Sequence, residues 1–433
     1  MSLYRYSITR INKNTTFSYL IFGVFCCIRP SLTSHPFPSS CLYKFTEKTT
    51  KNSTMATIPW CFTMALFMVI LLAIPNASLA KMNVIDKCWR ENPLWRSHRQ
   101  QLAKCSVGFA GKMTNNTGKG VVRYMVTDPS DDPLNPKTGT LRHGVTMIKG
   151  KVWITFKRNM HVTLQRPLLI SSFTAIDGRG VDVHITGAGC LLVYQATDVI
   201  IHGLRIRHCK SQPPSSVMGP DSKVIPLGQM DGDAIRLVTA RKVWIDHNTL
   251  YECQDGLLDV TRGSTEVTIS NNWFRNQDKV MLLGHDDGHL RDRNMKATVI
   301  FNHFGPNCNQ RMPRVRHGYV HVANNLYQGW EQYAIGGSMS PSIKSECNFF
   351  IAPKLGNKEV TWRQGNEADK ASWKFYSVGD IFENGASFSK QTGLGGAKPL
   401  YNQEQSFKVA DATSVKELTS SSGVLQCSRT LRC

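Results

Sequence analysis

Between Asp231 and Arg316, and on to Asn348, the chain alternates apolar and polar positions in short runs that end on asparagine: WIDHN at Asn248, TISNN at Asn272, VIFN at Asn302, HVANN at Asn325 and SECN at Asn348. A period of two over a few residues predicts strands with one buried face. The asparagines recur at intervals of 24, 30, 23 and 23 residues. One β-branched strand and one turn repeating at that length predict a parallel β-helix, in which each coil buries its apolar face by stacking on the next. The 30-residue interval is one coil with a loop added, and GHDDGHLRDRN supplies the loop. Upstream, VWITF, VTLQRPLLI, VDVHITGAG and VIIHGLRIRH read as earlier coils, whereas the alternation fades after SECNFFIAPK.

The two ends break this pattern. Residues 81–120, including NVIDKCWRENPLWRSHRQQLAKCSVGF, predict a short helix that caps the open end of the solenoid, as such folds require. Residues 121–389 then form the β-helix, and residues 390–433, rich in Ser, Thr and Gly, wrap back over it as irregular structure. Ile58 to Ala80 is an uncharged apolar run preceded by Lys44, Lys48 and Lys51, with small residues at Ser78 and Ala80. Residues 55–80 therefore read as a secretory signal, the alternative being an uncleaved membrane anchor. A signal normally begins near the N-terminus, so Met55 is the expected start and residues 1–54 an upstream extension with no assigned fold.

Charge narrows the partner. The 433 residues carry 52 Lys and Arg against 31 Asp and Glu, and residues 81–433 alone remain at net +15. Such a surplus favours a polyanion. Without a nucleic-acid-binding motif, and with a secretion signal, an acidic polysaccharide fits better than nucleic acid. Nine of the 13 cysteines follow Ala80. Cys88 with Cys105, Cys190 with Cys209, and Cys427 with Cys433 would close short loops, although spacing alone leaves connectivity open. Cys253, Cys308 and Cys347 remain, an odd set in which at least one buried free thiol is expected. No Cys-x-x-Cys pair suggests a zinc or redox site. Asn115 opens an NNT glycosylation sequon on the capping segment.

The repeat also places charge. Asp231 and Asp255 are 24 residues apart, Lys279 follows after 24 and Arg311 after 32, about one coil once the inserted loop is removed. These four would form one column roughly 14 Å long, three strand spacings. Residues two or four apart on a strand share a face, so Asp233 joins Asp231 and Asp259 joins Asp255. Four carboxylates from neighbouring coils suit calcium, which takes six to eight oxygen ligands, although Asp-Gly pairs are also common in plain turns. RMPRVR in isolation would be an ordinary basic surface.

The pieces WIDHNTL, DGLLDVTRGSTEVTISNNWF, DKVMLLGHDD, QRMPRVRHGYVHVANNLY and YAIGGS, with TFKRNM and AIDGRGVDVHITGAG upstream, cover most of residues 81–390. In them the chain resembles plant pectate lyases of polysaccharide lyase family one, a group that includes pollen allergens. The resemblance implies an all-β, right-handed parallel β-helix that cleaves de-esterified polygalacturonate by calcium-dependent β-elimination. It implies calcium at Asp231, Asp233, Asp255 and Asp259, a catalytic base at Arg311, and substrate contacts from Lys279 and Arg316. Arginine normally stays protonated, but neighbouring cations at Arg314, Arg316, Lys279 and the metal disfavour one more positive charge. Arg316 could instead stabilise charge developing on the substrate carboxylate. The protein is expected to be a secreted cell-wall monomer, with no nucleic-acid partner and no membrane association after signal removal.

Some positions depart from the family pattern. Gln277 stands where many relatives have His, Asn248 where many have Cys, and Thr174 where Lys is usual. Gln277 adjoins the charged column, which puts subsite affinity in question. The cluster His285, Asp286, Asp287 and His289 lies in the inserted loop, away from the paired geometry a glycosidase needs. Asp246 and His247 read as structural turn residues. Three functions fit: an active pectate lyase, an inactive wall-binding relative, and a calcium-independent pectin lyase. The aspartate column and strong basicity argue against the last, because a neutral ester needs neither.

Overall fold

The structure is a computed structural model that describes residues 81–365, 373–393, 398–427 and 433. The expected signal and the extension before it lie outside the described residues. Among the described residues, three parallel sheets of ten, nine and eight strands stack coil upon coil. One coil, for example, contributes Arg241–Asp246 to the first, Thr249–Tyr251 to the second and Leu258–Thr261 to the third. This is the right-handed parallel β-helix that the repeat length and the resemblance led us to expect.

Stacking in register turns sequence periodicity into columns of like side chains. Ile201, Ile245, Ile269, Val299 and Val322 pair in sequence along the ten-stranded sheet and are all buried. Phe274, Phe304, Tyr327 and Phe350 form an aromatic column on the nine-stranded sheet, with successive centroids 5.0, 4.8 and 4.4 Å apart. Between these sheets runs the asparagine ladder. The amides of Asn248, Asn272, Asn302 and Asn325 each donate to the Oδ1 of the next, at 3.1, 3.1, 3.0 and 2.9 Å, ending on Asn348. The residue before each asparagine takes the left-handed conformation: His247, Asn271, Phe301, Asn324 and Cys347 have φ between 50° and 56°. The turn is therefore a two-residue unit, and the buried asparagine satisfies backbone groups of its neighbours. At the end of the ladder stands Asp380, whose Oδ1 accepts from the Asn348 backbone N–H at 2.6 Å and from its side-chain amide at 3.1 Å.

The segment 81–120 does not close the open end as expected. Its helix Val84–Arg90, with Trp95 and Leu102, packs along the outer face of the ten-stranded sheet, against Trp153, Ala175, Ile200 and Trp244. Those outward apolar residues need cover, and an end cap could not reach them. The first coils are instead closed by helix Leu141–Thr146, whose Leu141 and Val145 join the main core. The C-terminal segment follows the same outer face, with Tyr401 against Phe109 at 4.7 Å and Leu418 in the same apolar layer. Buried His247 ties both ends down, its Nε2 donating to Asp86 Oδ1 (2.7 Å) and its Nδ1 to Gly423 O (2.9 Å). Among the described residues, disulfides join Cys88 to Cys105, Cys190 to Cys209 and Cys427 to Cys433, leaving Cys253, Cys308 and Cys347 free, with Cys308 buried.

Candidate active site

The charged column lies where each coil turns from the nine-stranded into the eight-stranded sheet. Asp231 and Asp233 precede strand Ile235–Val238, Asp255 precedes Leu258–Thr261, Lys279 precedes Met281–Leu283, and Arg311 precedes Arg314–Val315. Carboxylate oxygens of Asp231, Asp233 and Asp255 lie within 4.8 Å of one another. Asp259 is also close, and the charges of both Asp233 and Asp255 act on it. A Cβ on Gly256 would fall 2.8 Å from Asp233 Oδ1 and 3.0 Å from Asp259 Oδ1, so the two carboxylates converge over a glycine that leaves them room.

These carboxylates crowd one another. Burial, with the charges of Asp255 and Asp231 nearby, pushes Asp233 up to about 6. Burial and the Asp233 carboxylate raise Asp259 as well. Asp233 Oδ1 accepts from the Gly256 N–H at 2.8 Å, whereas its buried Oδ2 has no hydrogen-bond partner. An all-oxygen set with crowded carboxylates and one orphaned buried oxygen fits a hard divalent cation. Each exposed acid has a basic neighbour: Arg236 Nη1 donates to Asp231 Oδ2 at 3.1 Å and Lys279 Nζ to Asp255 Oδ1 at 2.7 Å.

Arg311 is one residue out of the expected column. Lys279 pairs with Gln310, and Arg311 follows in the left-handed conformation at φ 64°. Its carbonyl accepts from Met281 N, and its Nε is buried without a partner. Arg314 pairs across the sheet with Leu282, and burial together with the charges of Arg316 and Arg311 lowers it. Arg316 Nε donates to Asp287 Oδ1 at 3.2 Å and its Nη1 to Gly284 O at 3.1 Å. The cationic end therefore comprises Lys279, Arg311, Arg314 and Arg316.

Two neighbours, Arg236 and Tyr333, escaped the sequence reading, and two that it named in other connections, Arg314 and Asp287, also border the site. Arg236 faces outward on its strand and pairs in register with Asp259, which strand alternation could have exposed. Arg314 is the alternate outward residue of RMPRVR. Tyr333 is buried, stacks on Trp362 at 5.1 Å, and has its phenol raised by burial against the pull of Arg314 and Arg311. Asp287 belongs to the inserted loop, whose contact with Arg316 across 29 residues leaves no local signal. Gln277 is buried, and its amide donates to the carbonyls of Cys253 (3.1 Å) and Asp255 (2.5 Å), so it holds the Asp255 turn.

Comparison with known proteins agrees with the fold. A family model described as pectate lyase matches residues 91–426. The chain is 47% identical over 353 residues to a probable pectate lyase 4 of Arabidopsis thaliana, covering 81% of this chain and 91% of that one. It is 47% identical over 364 residues to pectate lyase 1 of Juniperus virginiana, covering 83% and 98%. The crystal structure of jun a 1, the major allergen from cedar pollen, superposes with a TM-score of 0.75 at 46% identity, over 79% of this chain and 99% of that one. With its coils, its charged turn and this likeness along most of its length, the chain belongs to the pectate lyase family of polysaccharide lyases.

Proposed function

We propose that the protein is an active pectate lyase that cleaves (1→4)-α-D-galacturonan by elimination, using calcium bound by Asp231, Asp233, Asp255 and Asp259. The observation that carries this is the junction of a crowded carboxylate group with a row of cations along successive coils. Calcium shared with a uronate carboxylate would withdraw charge from it and acidify the adjacent C5–H. Lys279 and Arg316 hold and orient that carboxylate, and Arg316 offers its guanidinium to the charge that develops there. Arg311 takes the C5 proton at a guanidine nitrogen. The C5–H electrons form the C4=C5 bond, the C4–O bond breaks, and the departing oxygen takes a proton from water.

Support for secretion into the cell wall comes from the apolar segment 55–80 and from three disulfides, which persist in oxidising surroundings. Asn115 is exposed, with its amide 3.1 Å from Asp198 Oδ1, and is our assigned glycan acceptor. We take the protein to work as a monomer. Ultraviolet absorbance of unsaturated uronide, followed on polygalacturonate with and without chelator, tests the function. Absorbance that rises only with calcium supports it, and product formation untouched by a strong chelator would remove calcium from the account.

A further inference from the structure

On the outer face of the nine-stranded sheet, around the corner from the charged turn, three residues align on successive coils. Tyr251 pairs in register with Arg207 on one side and Arg275 on the other. The Arg275 guanidinium lies 4.3 Å from the Tyr251 ring and 4.7 Å from the Trp273 ring, and that of Arg207 lies 5.9 Å from Tyr251. Neither arginine has a carboxylate partner among the described residues, and the Nε atoms of both are buried without a hydrogen-bond acceptor. The nearby carboxylate of Glu252 is taken up by His208 Nε2 and the Asn276 amide, both at 3.1 Å.

Most surface arginines are mobile, and ordering them costs side-chain entropy. Here the aromatic rings hold two guanidiniums in place beforehand, about 10 Å apart by two coil rises, neither paired to a carboxylate, although Arg207 Nη1 lies 3.2 Å from His208 Nε2. Planar donor forks match carboxylates, and a rigid pair at this spacing suits a polymer bearing a carboxylate on every unit. The column runs along the solenoid axis, parallel to the charged turn.

We propose that Arg207, Tyr251 and Arg275 form a second, non-catalytic site for acidic galacturonan, which tethers the protein to its polymer while the turn acts on another stretch. The identity of the polymer rests on the function proposed above. The site itself requires only a polyuronate.

The test compares the parent with Arg207→Gln/Arg275→Gln and with Lys119→Gln/Lys149→Gln, which removes the same charge from exposed positions elsewhere. Retention on insoluble calcium pectate is measured without added oligomer, and turnover of trigalacturonate is measured separately. The arginine pair should weaken retention about tenfold and leave trigalacturonate turnover within twofold, while the lysine pair changes neither. Equal loss in both double variants would mean diffuse charge, and unchanged retention would mean no site. Turnover falling in step with retention would place the arginines in the catalytic groove. Each of these overturns the proposal. Should the double variant not fold, Arg275→Gln alone is expected to weaken retention about threefold. A parent that fails to turn over trigalacturonate, yet loses retention in the arginine variant, would refute the proposed lyase function and leave the tether standing.

Discussion

Lys279 Nζ lies 2.7 Å from Asp255 Oδ1, so a residue proposed to hold substrate and one proposed to hold calcium neutralise each other. Arg236 likewise neutralises Asp231 at 3.1 Å, and Asp287 neutralises Arg316 at 3.2 Å. On the proposed function, binding at this site would be an exchange of partners, in which a cation displaces Lys279 from Asp255 and a uronate displaces Asp287 from Arg316.

Exchange predicts that Lys279→Met tightens calcium binding in the absence of substrate. The pair is partly exposed, so the gain should be modest, about two- to fivefold in Kd. Turnover of polygalacturonate should fall at the same time. Calorimetric titration of calcium into both proteins checks this, and weaker binding by the variant would mean that Lys279 supports the site rather than competes for it.

A parallel expectation concerns the inserted loop. Asp287→Asn removes the carboxylate that competes with substrate for Arg316, and KM should drop about two- to threefold with kcat little changed. A raised KM would show instead that Asp287 orients the guanidinium.

Asp380 at the end of the asparagine ladder gives a pH signature in stability. Its Oδ2 accepts from the hydroxyls of Ser345 and Ser377 at 2.6 and 2.7 Å, and burial raises it from 3.8 to about 6. Since the folded value lies above the unfolded one, its contribution is full below about pH 4 and is lost as pH rises through about 6. Asp380→Asn continues the amide ladder without a charge. The variant should be more stable than the parent at pH 8, on the order of 1–2 kcal/mol after allowing for partial exposure, and indistinguishable at pH 4. Thermal midpoints at both pH values decide it, and a variant less stable at pH 8 would show that the charged form is the native one.

Where the fold was legible in the sequence, it was because stacking converts periodicity directly into geometry. Asn248 to Asn348 marked the turns, their spacing set the coil length, and the 30-residue interval located the loop that carries Asp287. Counting along coils brought Asp231, Asp255 and Lys279 to one turn. It missed Arg311 by one residue, because that residue sits in a left-handed kink that shifts register after Gln310, and no coil count contains a local φ. Placement of residues 81–120 failed for a different reason. Trp153 and Trp244 alternate outward like surface residues, and only the folded sheet shows that they form one apolar face in need of cover. Asp259 was placed beside Asp255, and its further approach to Asp233 was not legible because it depends on the absence of a side chain at Gly256.

The most direct measurement of the account is the effect of Arg311→Lys on turnover and on oligogalacturonate binding, determined on the same preparation. Lysine keeps the positive charge but not the position or acidity of the base, so kcat should fall by ~10²–10⁴ while affinity for oligogalacturonate stays within a few-fold of the parent. An Arg311→Lys protein with near-parental lyase activity would contradict the assignment of Arg311 as the base.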